Sequence, residues 1–489
     1  GEDDYNACKK ADMAFIQPVN TNGTFTEDAP DFAGDFVKDA DGKIIALLEE
    51  QGKIFKKESY THNYPFCWRC ETPLLYYAIT SWFVRVTAFK EEFIKNNQKI
   101  EWHPGHIKDG RFGDWLNNVK DWALSRSKFW GTPLPIWRCQ QCKNEKVMGS
   151  VSELKKAATT PFEKLDLHKP AIDDIKLKCD CGQEMTRIPE VIDCWYDSGA
   201  ASFAQFHYPF ENEELFKKSF PYSFIAEAID QTRGWFYTLH VLGTILFGKS
   251  AYKSVVCAGH VVDEKGEKMS KSKGNTIDPW VAFDKVGVDA VRLQFCSSDP
   301  GNTKRFGFDG VKDTTLPFFT TLWNVARFSK EMLREKQPVR PSLEKEDVWM
   351  LAKVSALTED VTENLDKHEY HLCVQALKDF VDGDFSKWYI KVNRERSLEQ
   401  NDALQYTLRY TFSVILRLLA PFTPYLSEYL WRNFALSEKS VHTERWPVPE
   451  FNNKKIVAQM DKARDIVQTL LSSREKIQRG VRWPLADMV

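Results

Sequence analysis

The sequence predicts an α/β protein, with a parallel sheet in its middle third and a bundle of helices after it. Three observations carry this expectation. Between Pro189 and Pro300, short apolar runs (Ile192–Trp195 and Val255–Ala258) alternate with helix-length stretches (Gln231–Leu246 and Asp278–Cys296), the pattern of strands joined by helical crossovers. Beyond Pro338-Val339-Arg340-Pro341, the residues Leu408, Phe412, Ile415, Leu416 and Leu419 recur at helical spacing, and Pro421 and Pro424 close the stripe. Ahead of the sheet lies a polar segment, 137–188, whose cysteines come in close pairs.

Taken in order, residues 1–60 mix short apolar runs with turns at Asn22-Gly23 and Asp41-Gly42, and one helical stretch is expected near Lys43–Gln51. Residues 61–110 read as strand-rich, because β-branched and aromatic residues crowd Leu74–Val86. Arg111–Ser127 has apolar residues at a helical period. The tail after 341 reads as a helix bundle whose apolar stripes face inward.

At 489 residues, the chain has room for roughly three or four domains. Its net charge of −2 excludes a uniformly basic nucleic-acid coat and leaves two local basic stretches, Lys387–Arg396 and Arg474–Arg482. Each of those could equally be a solvated helix face. No apolar run nears the roughly 18 residues of a membrane span, and no basic-then-apolar leader is present, so a cytoplasmic protein is expected. The chain opens at Gly1 without Met and is read as a piece of a longer protein.

Of 11 cysteines, six fall in pairs: Cys67/Cys70, Cys139/Cys142 and Cys179/Cys181. In a chain without a secretion signal, such pairs suggest metal rather than disulfides. Cys139, Cys142, Cys179 and Cys181 form two knuckles of soft ligands, suited to a closed tetrahedral structural Zn²⁺ site. The metal is expected to hold a polar insertion with little apolar core of its own. Cys67 and Cys70 form one knuckle without a second pair nearby, a half-site. The single cysteines Cys8, Cys194, Cys257, Cys296 and Cys373, mostly among apolar neighbours, read as inert core thiols.

The most specific segment runs from Asp263 to Asn275, with Lys268-Met269-Ser270-Lys271-Ser272 at its centre. A basic, glycine-bearing loop after an apolar strand is where α/β folds receive anionic ligands, and positioned ammonium groups stabilise charge developing on a phosphate. This string resembles the lysine loop with which class I aminoacyl-tRNA synthetases clamp ATP. The segments Phe224–Phe236, Val191–Gly199 and Trp130–Trp137 are similar to isoleucyl members of that family. The expected fold is then the C-terminal half of a Rossmann-like nucleotide-binding domain with a zinc-ribbon insertion, an editing-domain remnant and an α-helical anticodon-binding bundle.

The resemblance implies roles residue by residue. Lys268 and Lys271 are the expected catalytic cations. Glu227, Asp230, Gln231, Gly259, Val261, Met269, Ser270 and Ser272 are expected to bind ATP and the adenylate. Trp195 and Trp235 offer flat walls for a branched aliphatic side chain. Ala228 stands where the family usually has Gly, and its methyl could crowd the adenylate. Gly1–Tyr5 resembles the end of the editing motif, which would make Asp4 the residue holding a mischarged ammonium; an acidic surface turn explains the same residues. Editing is needed because one methylene in an apolar pocket is worth only about 1–3 kcal/mol. Lys387, Lys391, Arg394 and Arg396 are candidate tRNA contacts. His103-Pro104-Gly105-His106 fits the family's second motif literally but stands in the wrong order and is read as coincidence, with the genuine motif expected upstream of Gly1.

The implied domains are an editing remnant (1–60), a connective segment (61–136), the zinc insertion (137–188), the catalytic half with its lysine loop (189–300), a stem-contact linker (301–340) and the anticodon-binding domain (341–489). The implied activity joins L-isoleucine to tRNA(Ile) with ATP and Mg²⁺, post-transfer editing of valine included. A monomer with no membrane association is expected, and little activity from residues 1–489 alone. A valyl or leucyl relative is the alternative within the family. A non-enzymatic zinc-ribbon RNA-binding protein is the alternative outside it.

Overall fold

The computed structural model describes residues 2–67, 70–270, 273–332, 341–399, 401–434 and 438–483. The chain forms two compact units, one of residues 1–83 with 123–126, the other of 84–122 with 127–489.

The first unit carries helices Glu2–Lys10 and Asp41–Glu50 joined by turns, the second helix falling where the sequence places it. The expectation of strands across Leu74–Val86 is corrected: the only ladder residues there are Phe83–Val84. A strand needs a neighbour for its backbone groups. Here some of them meet side chains instead, the Tyr64 hydroxyl donating to the Leu74 carbonyl (2.5 Å) and the Ala78 N–H donating to Gln17 (2.9 Å).

In the second unit, strands Ile225–Ala228, Ser254–Ala258 and Glu101–His103 form a parallel sheet in that order. Helix Trp235–Phe247 makes the crossover between the first two, ending at Gly248 in the left-handed conformation that glycine adopts without strain. Phe93, Trp102, Phe112, Leu116, Phe236 and Val255 fill the core around it.

Three expected elements change. Ile192–Trp195 is not one strand; Val191–Ile192 is extended and helix Cys194–Ala204 then begins, because the Asp193 carboxylate caps the Trp195 N–H (3.2 Å). Asp278–Cys296 is two helices, Pro279–Val286 and Val288–Cys296, broken at Gly287 with φ +90°. The helix from Arg111 stops at Asn117, where the Asn118 side chain donates to the Asp114 carbonyl (2.8 Å) and competes with the next turn.

Residues 136–187 hold a four-stranded antiparallel sheet, ordered Glu145–Val147, Ile136–Cys139, Glu184–Arg187, Leu177–Lys178. The expectation that this insertion has little apolar core of its own is corrected. Trp137, Leu154, Ile172, Leu177 and Met185 pack into a buried cluster of their own, recruited from helix Val151–Ala157 and the 171–174 turn as well as the strands.

Downstream, helices Leu316–Met332, Lys345–Asp366, Tyr370–Asp379, Asp402–Leu419 and Pro424–Asn433 share one core, in which Leu408, Phe412, Ile415, Leu416 and Leu419 are fully buried. Pro424 opens the next helix at its first turn, where a missing N–H costs nothing. Among the described residues no helix is long and apolar enough to cross a membrane.

Candidate nucleotide site and cysteine cluster

Two of the parallel strands end in register, Ala228 beside Ala258, and the chain leaves both at the same carboxyl edge. Such an edge is where open α/β sheets bind ligands. From Ala228 the chain enters a short 3₁₀ turn, Ile229–Arg233, that presents Asp230 to solvent, just beyond the exposed Glu227. Gln231 turns inward. Its side-chain carbonyl accepts the Trp235 N–H (3.0 Å), capping the crossover helix, and its amide donates to Asp230 (2.9 Å). A Cβ on Gly234 would fall 2.7 Å from that carbonyl oxygen and 2.9 Å from the Trp195 ring, so only glycine lets the indole and the amide close around this turn.

The two tryptophans part company here. Trp195 lies at the rim, 38% exposed, against Gly234. Trp235 is half-buried and packs on the sheet core, its indole N–H donating to the Ser198 carbonyl (3.0 Å). Asp197, at the start of the same helix as Trp195, is raised by burial and accepts from Thr132 (3.0 Å), tying the Trp130–Trp137 segment to this wall. Ala228 adopts φ −74°, ψ 163°, comfortable for any residue, so its methyl brings no backbone strain.

From Ala258 the chain passes Gly259, whose N–H donates to the Pro300 carbonyl (2.8 Å) and where a Cβ would overlap the Asn302 carbonyl. Strand Val261–Val262 follows, paired in parallel with Lys304–Arg305, and leads straight into the lysine loop. Lys304 donates to the carbonyls of Asp299 and Pro300 (2.8 and 2.9 Å), and burial lowers its pKa. Within the loop, Met269 is half-buried against the cluster of Ala282, Val291, Phe306 and Val311. Lys268 is exposed. Lys273 pairs with Glu267 (3.2 Å). Lys271 and Ser272 lie outside the described residues.

Sequence reasoning missed the frame of this loop. The Asp263 carboxylate accepts the N–H groups of Lys265 (3.0 Å) and Glu267 (2.8 Å) and the Asn275 amide (2.8 Å), and these bonds, the Asn275 amide first, hold its pKa below the usual carboxylate value. Asn275 also donates to the Lys268 carbonyl (3.2 Å) and accepts the Ser270 N–H (2.9 Å). The tendency of Asp and Asn to bond nearby backbone was the available signal.

The four cysteines converge. Cys139 and Cys142 sit on one hairpin, Cys179 and Cys181 on the other, with Lys143 and Gly182 at positive φ shaping the two knuckles. Their sulfurs all lie within 4.8 Å of one another, with Cys139–Cys181 at 3.6 Å and Cys142–Cys179 at 3.5 Å. Thiolates tetrahedral about Zn²⁺ at about 2.3 Å stand about 3.8 Å apart, so the donor set fits that ion. The Cys142 backbone N–H, above all, lowers Cys139 to about 6, while the crowded sulfurs push Cys181 up to about 12, so the four thiols share protons as a group.

Among the described residues this is the only grouping of three or more such ligands; Cys67 and Cys70 have no second pair. Cys70 is lowered to about 7, first by the Thr72 hydroxyl at 3.1 Å. Trp68 and Arg69 lie outside the described residues. Asp4 is exposed on helix Glu2–Lys10 rather than in a turn.

In the bundle, Lys387, Lys391 and Arg394 are exposed. Arg396 is corrected as an RNA contact: its guanidinium is drawn inward onto Asp347, Asn393 and Asn401. Lys387 sits on an eleven-residue π-helical stretch, Phe380–Ile390, which turns Phe385 and Tyr389 into the core.

This sheet edge, lysine loop and helical bundle define a class I tRNA synthetase, and residues 11–307 match the family model for tRNA synthetases class I (I, L, M and V), the family to which the chain belongs. Residues 347–489 match the anticodon-binding domain of tRNA ligases. Within the family, the chain is 45% identical to the isoleucine–tRNA ligase of Thermus thermophilus and 43% identical to that of Clostridium novyi. These alignments take in 99% and 100% of this chain but 48% and 49% of those proteins. The chain thus spans about half the length of the curated relatives it matches. Solved structures agree on the fold. A Mycobacterium tuberculosis methionyl-tRNA synthetase with methionyl-adenylate gives a TM-score of 0.56 at 18% identity over 79% of this chain and 70% of that one. An Agrobacterium radiobacter LeuRS–tRNA–LeuAMS complex gives 0.54 at 20% identity over 72% and 46%.

Proposed function

We propose that the protein carrying this chain is an isoleucine–tRNA ligase, which uses ATP with Mg²⁺ to activate L-isoleucine and passes it to the 3′ end of tRNA(Ile). The observation that carries this reading is the closure of Trp195, Gln231 and Gly234 at the sheet edge from which the lysine loop departs. Alignment of 99–100% of this chain with about half the length of isoleucine–tRNA ligases supports it.

In the first step a carboxylate oxygen of isoleucine attacks the α-phosphorus of ATP, and the bond to pyrophosphate breaks. Lys268 and Lys271 stabilise the charge that builds on the phosphates, with Met269, Ser270 and Ser272 shaping the loop around them. Trp195 walls the aliphatic side chain, with Trp235 behind it. Glu227, Asp230 and Gln231 offer oxygens to the substrate ammonium and the ribose hydroxyls, and Gly259 and Val261 offer backbone groups to adenine. In the second step a terminal ribose hydroxyl of the tRNA attacks the acyl carbon, and AMP leaves.

Cys139, Cys142, Cys179 and Cys181 would hold Zn²⁺ as a structural cross-link between the two knuckles, with four protein thiolates leaving no position for chemistry. Residues 1–60 and Asp4 belong to an editing region that removes valine. Lys387, Lys391 and Arg394 meet the tRNA backbone. A cytoplasmic monomer completes the reading.

ATP–pyrophosphate exchange by the whole protein, run with isoleucine, valine and leucine in parallel, tests it. Isoleucine should exceed both by kcat/KM. Faster exchange with valine or leucine would assign the protein to a sister specificity. No exchange with any of them would favour an RNA-binding protein built on a zinc ribbon.

A further inference from the structure

We infer that Asn275 and Asp263 form a positioning pair that braces the lysine loop for phosphate chemistry, so that the loop's catalytic value depends on two residues that touch no substrate. The inference rests on the nucleotide-site reading above and deepens it.

The geometry is unusual for a surface loop. Asn275 reaches back across the loop at three points: to Asp263, twelve residues earlier, to the Lys268 carbonyl, seven earlier, and to the Ser270 N–H, five earlier. An ordinary Asx turn bonds its own backbone about two residues on. Asp263 does that locally, at Lys265 and Glu267, and then spends its second oxygen on Asn275. The two side chains therefore staple the entry of the loop to its exit, and the backbone of Lys268 and Ser270 hangs from the staple. Gly274, at φ +66°, supplies the left-handed step that brings Asn275 round.

The stapled end is also seated. Met269 packs in the Phe306 cluster, and the Glu264 carboxylate occupies the space where a Cβ at Gly307 would stand. Four lysines fall within nine residues (Lys265, Lys268, Lys271 and Lys273), and like charges this close repel one another. Without a brace the long side chain of Lys268 would sample many directions, and an electrostatic contribution to a transition state needs donors that are already aimed. The chemistry of the pair is directional: an acid facing an amide. Two acids in those places would repel, whereas exchanging acid and amide keeps the bond between them and the acceptor for Ser270.

The test uses four variants of the whole protein: Asn275→Ala, Asn275→Asp, Asp263→Asn and the exchanged double variant. Asn275→Ala should lower kcat for pyrophosphate exchange about 10-fold or more, with KM for isoleucine and the melting temperature nearly unchanged. Asn275→Asp alone should do at least as much harm, and the double variant should recover most of the loss. In parallel, trypsin should cut the loop lysines faster in Asn275→Ala than in the parent chain. Unchanged kcat in Asn275→Ala, or a double variant no better than Asn275→Asp, overturns the inference. If the parent exchanges with valine rather than isoleucine, the specificity reading fails while a kcat loss with valine still supports the brace. If it exchanges with nothing, unchanged trypsin cleavage overturns the brace and faster cleavage supports it.

Discussion

The Arg396 guanidinium forks onto the fully buried Asp347 carboxylate, with Nη2 2.8 Å from one oxygen and Nη1 3.2 Å from the other, while the Tyr389 hydroxyl donates to the same carboxylate at 2.5 Å. One of the four cations that the sequence offers as RNA contacts is thus tied into the bundle by a buried carboxylate.

Arg396→Ala should therefore cost stability before it costs binding. Removing one partner leaves Asp347 buried and unpaired, a loss of about 3–5 kcal/mol. Chemical denaturation should show it. Alanine at Lys387, Lys391 or Arg394 should leave the denaturation midpoint in place but weaken tRNA binding and flatten its salt dependence. Equal loss of stability in all four variants would contradict this division.

Metal content separates the two cysteine groups. Residues 1–489 on their own should carry one Zn²⁺ per chain by elemental analysis, Cys142→Ser should lose it, and Cys67→Ser should keep it. Because the insertion has a core of its own around Trp137 and Met185, the metal-free protein should lose structure locally rather than as a whole. Hydrogen exchange confined to residues 136–187 would register that.

Gly234→Ala forces a methyl to within 2.7 Å of Gln231 and 2.9 Å of Trp195. Overpacking of this kind costs about 1–3 kcal/mol, and here it would push the indole away from the sheet edge. The expected result is a rise of about 10-fold or more in KM for isoleucine. An unchanged KM would remove Trp195 from the amino-acid pocket. Ala228→Gly, by contrast, should change little, since Ala228 already has relaxed backbone angles.

His240 is fully buried, its Nε2 paired with the Phe93 carbonyl (3.0 Å), and burial lowers its pKa to about 4. The unfolded chain binds this proton near pH 6.5, so between about 6.5 and 4 the unfolded state holds more protons than the folded one. Stability from this residue is whole above that window and falls as pH drops through it, with a limiting slope of about 1.4 kcal/mol per pH unit. Denaturation midpoints at pH 7 and pH 5 measure the slope, and His240→Gln should reduce it. An equal slope in the variant would place the acid sensitivity elsewhere.

The sequence by itself determined the chemistry that depends on residue type and short spacing. The alternation from Pro189 to Pro300 announced the parallel sheet, the stripe from Leu408 to Leu419 announced a buried helix, and Cys139, Cys142, Cys179 and Cys181 announced a four-sulfur cluster. Periodicity and ligand spacing are local quantities, written along the chain. Tertiary structure alone decided the matters that depend on residues far apart. Leu74–Val86 has strand-forming side chains but gains almost no ladder partner. Arg396 looks like Lys391 in the sequence, yet Asp347, 49 residues away, claims it. The polar 137–188 segment gathers a core from strands and turns that no single window contains. Burial and pairing belong to the folded arrangement, and a charge or an apolar run acquires its role only when packing settles what stands beside it.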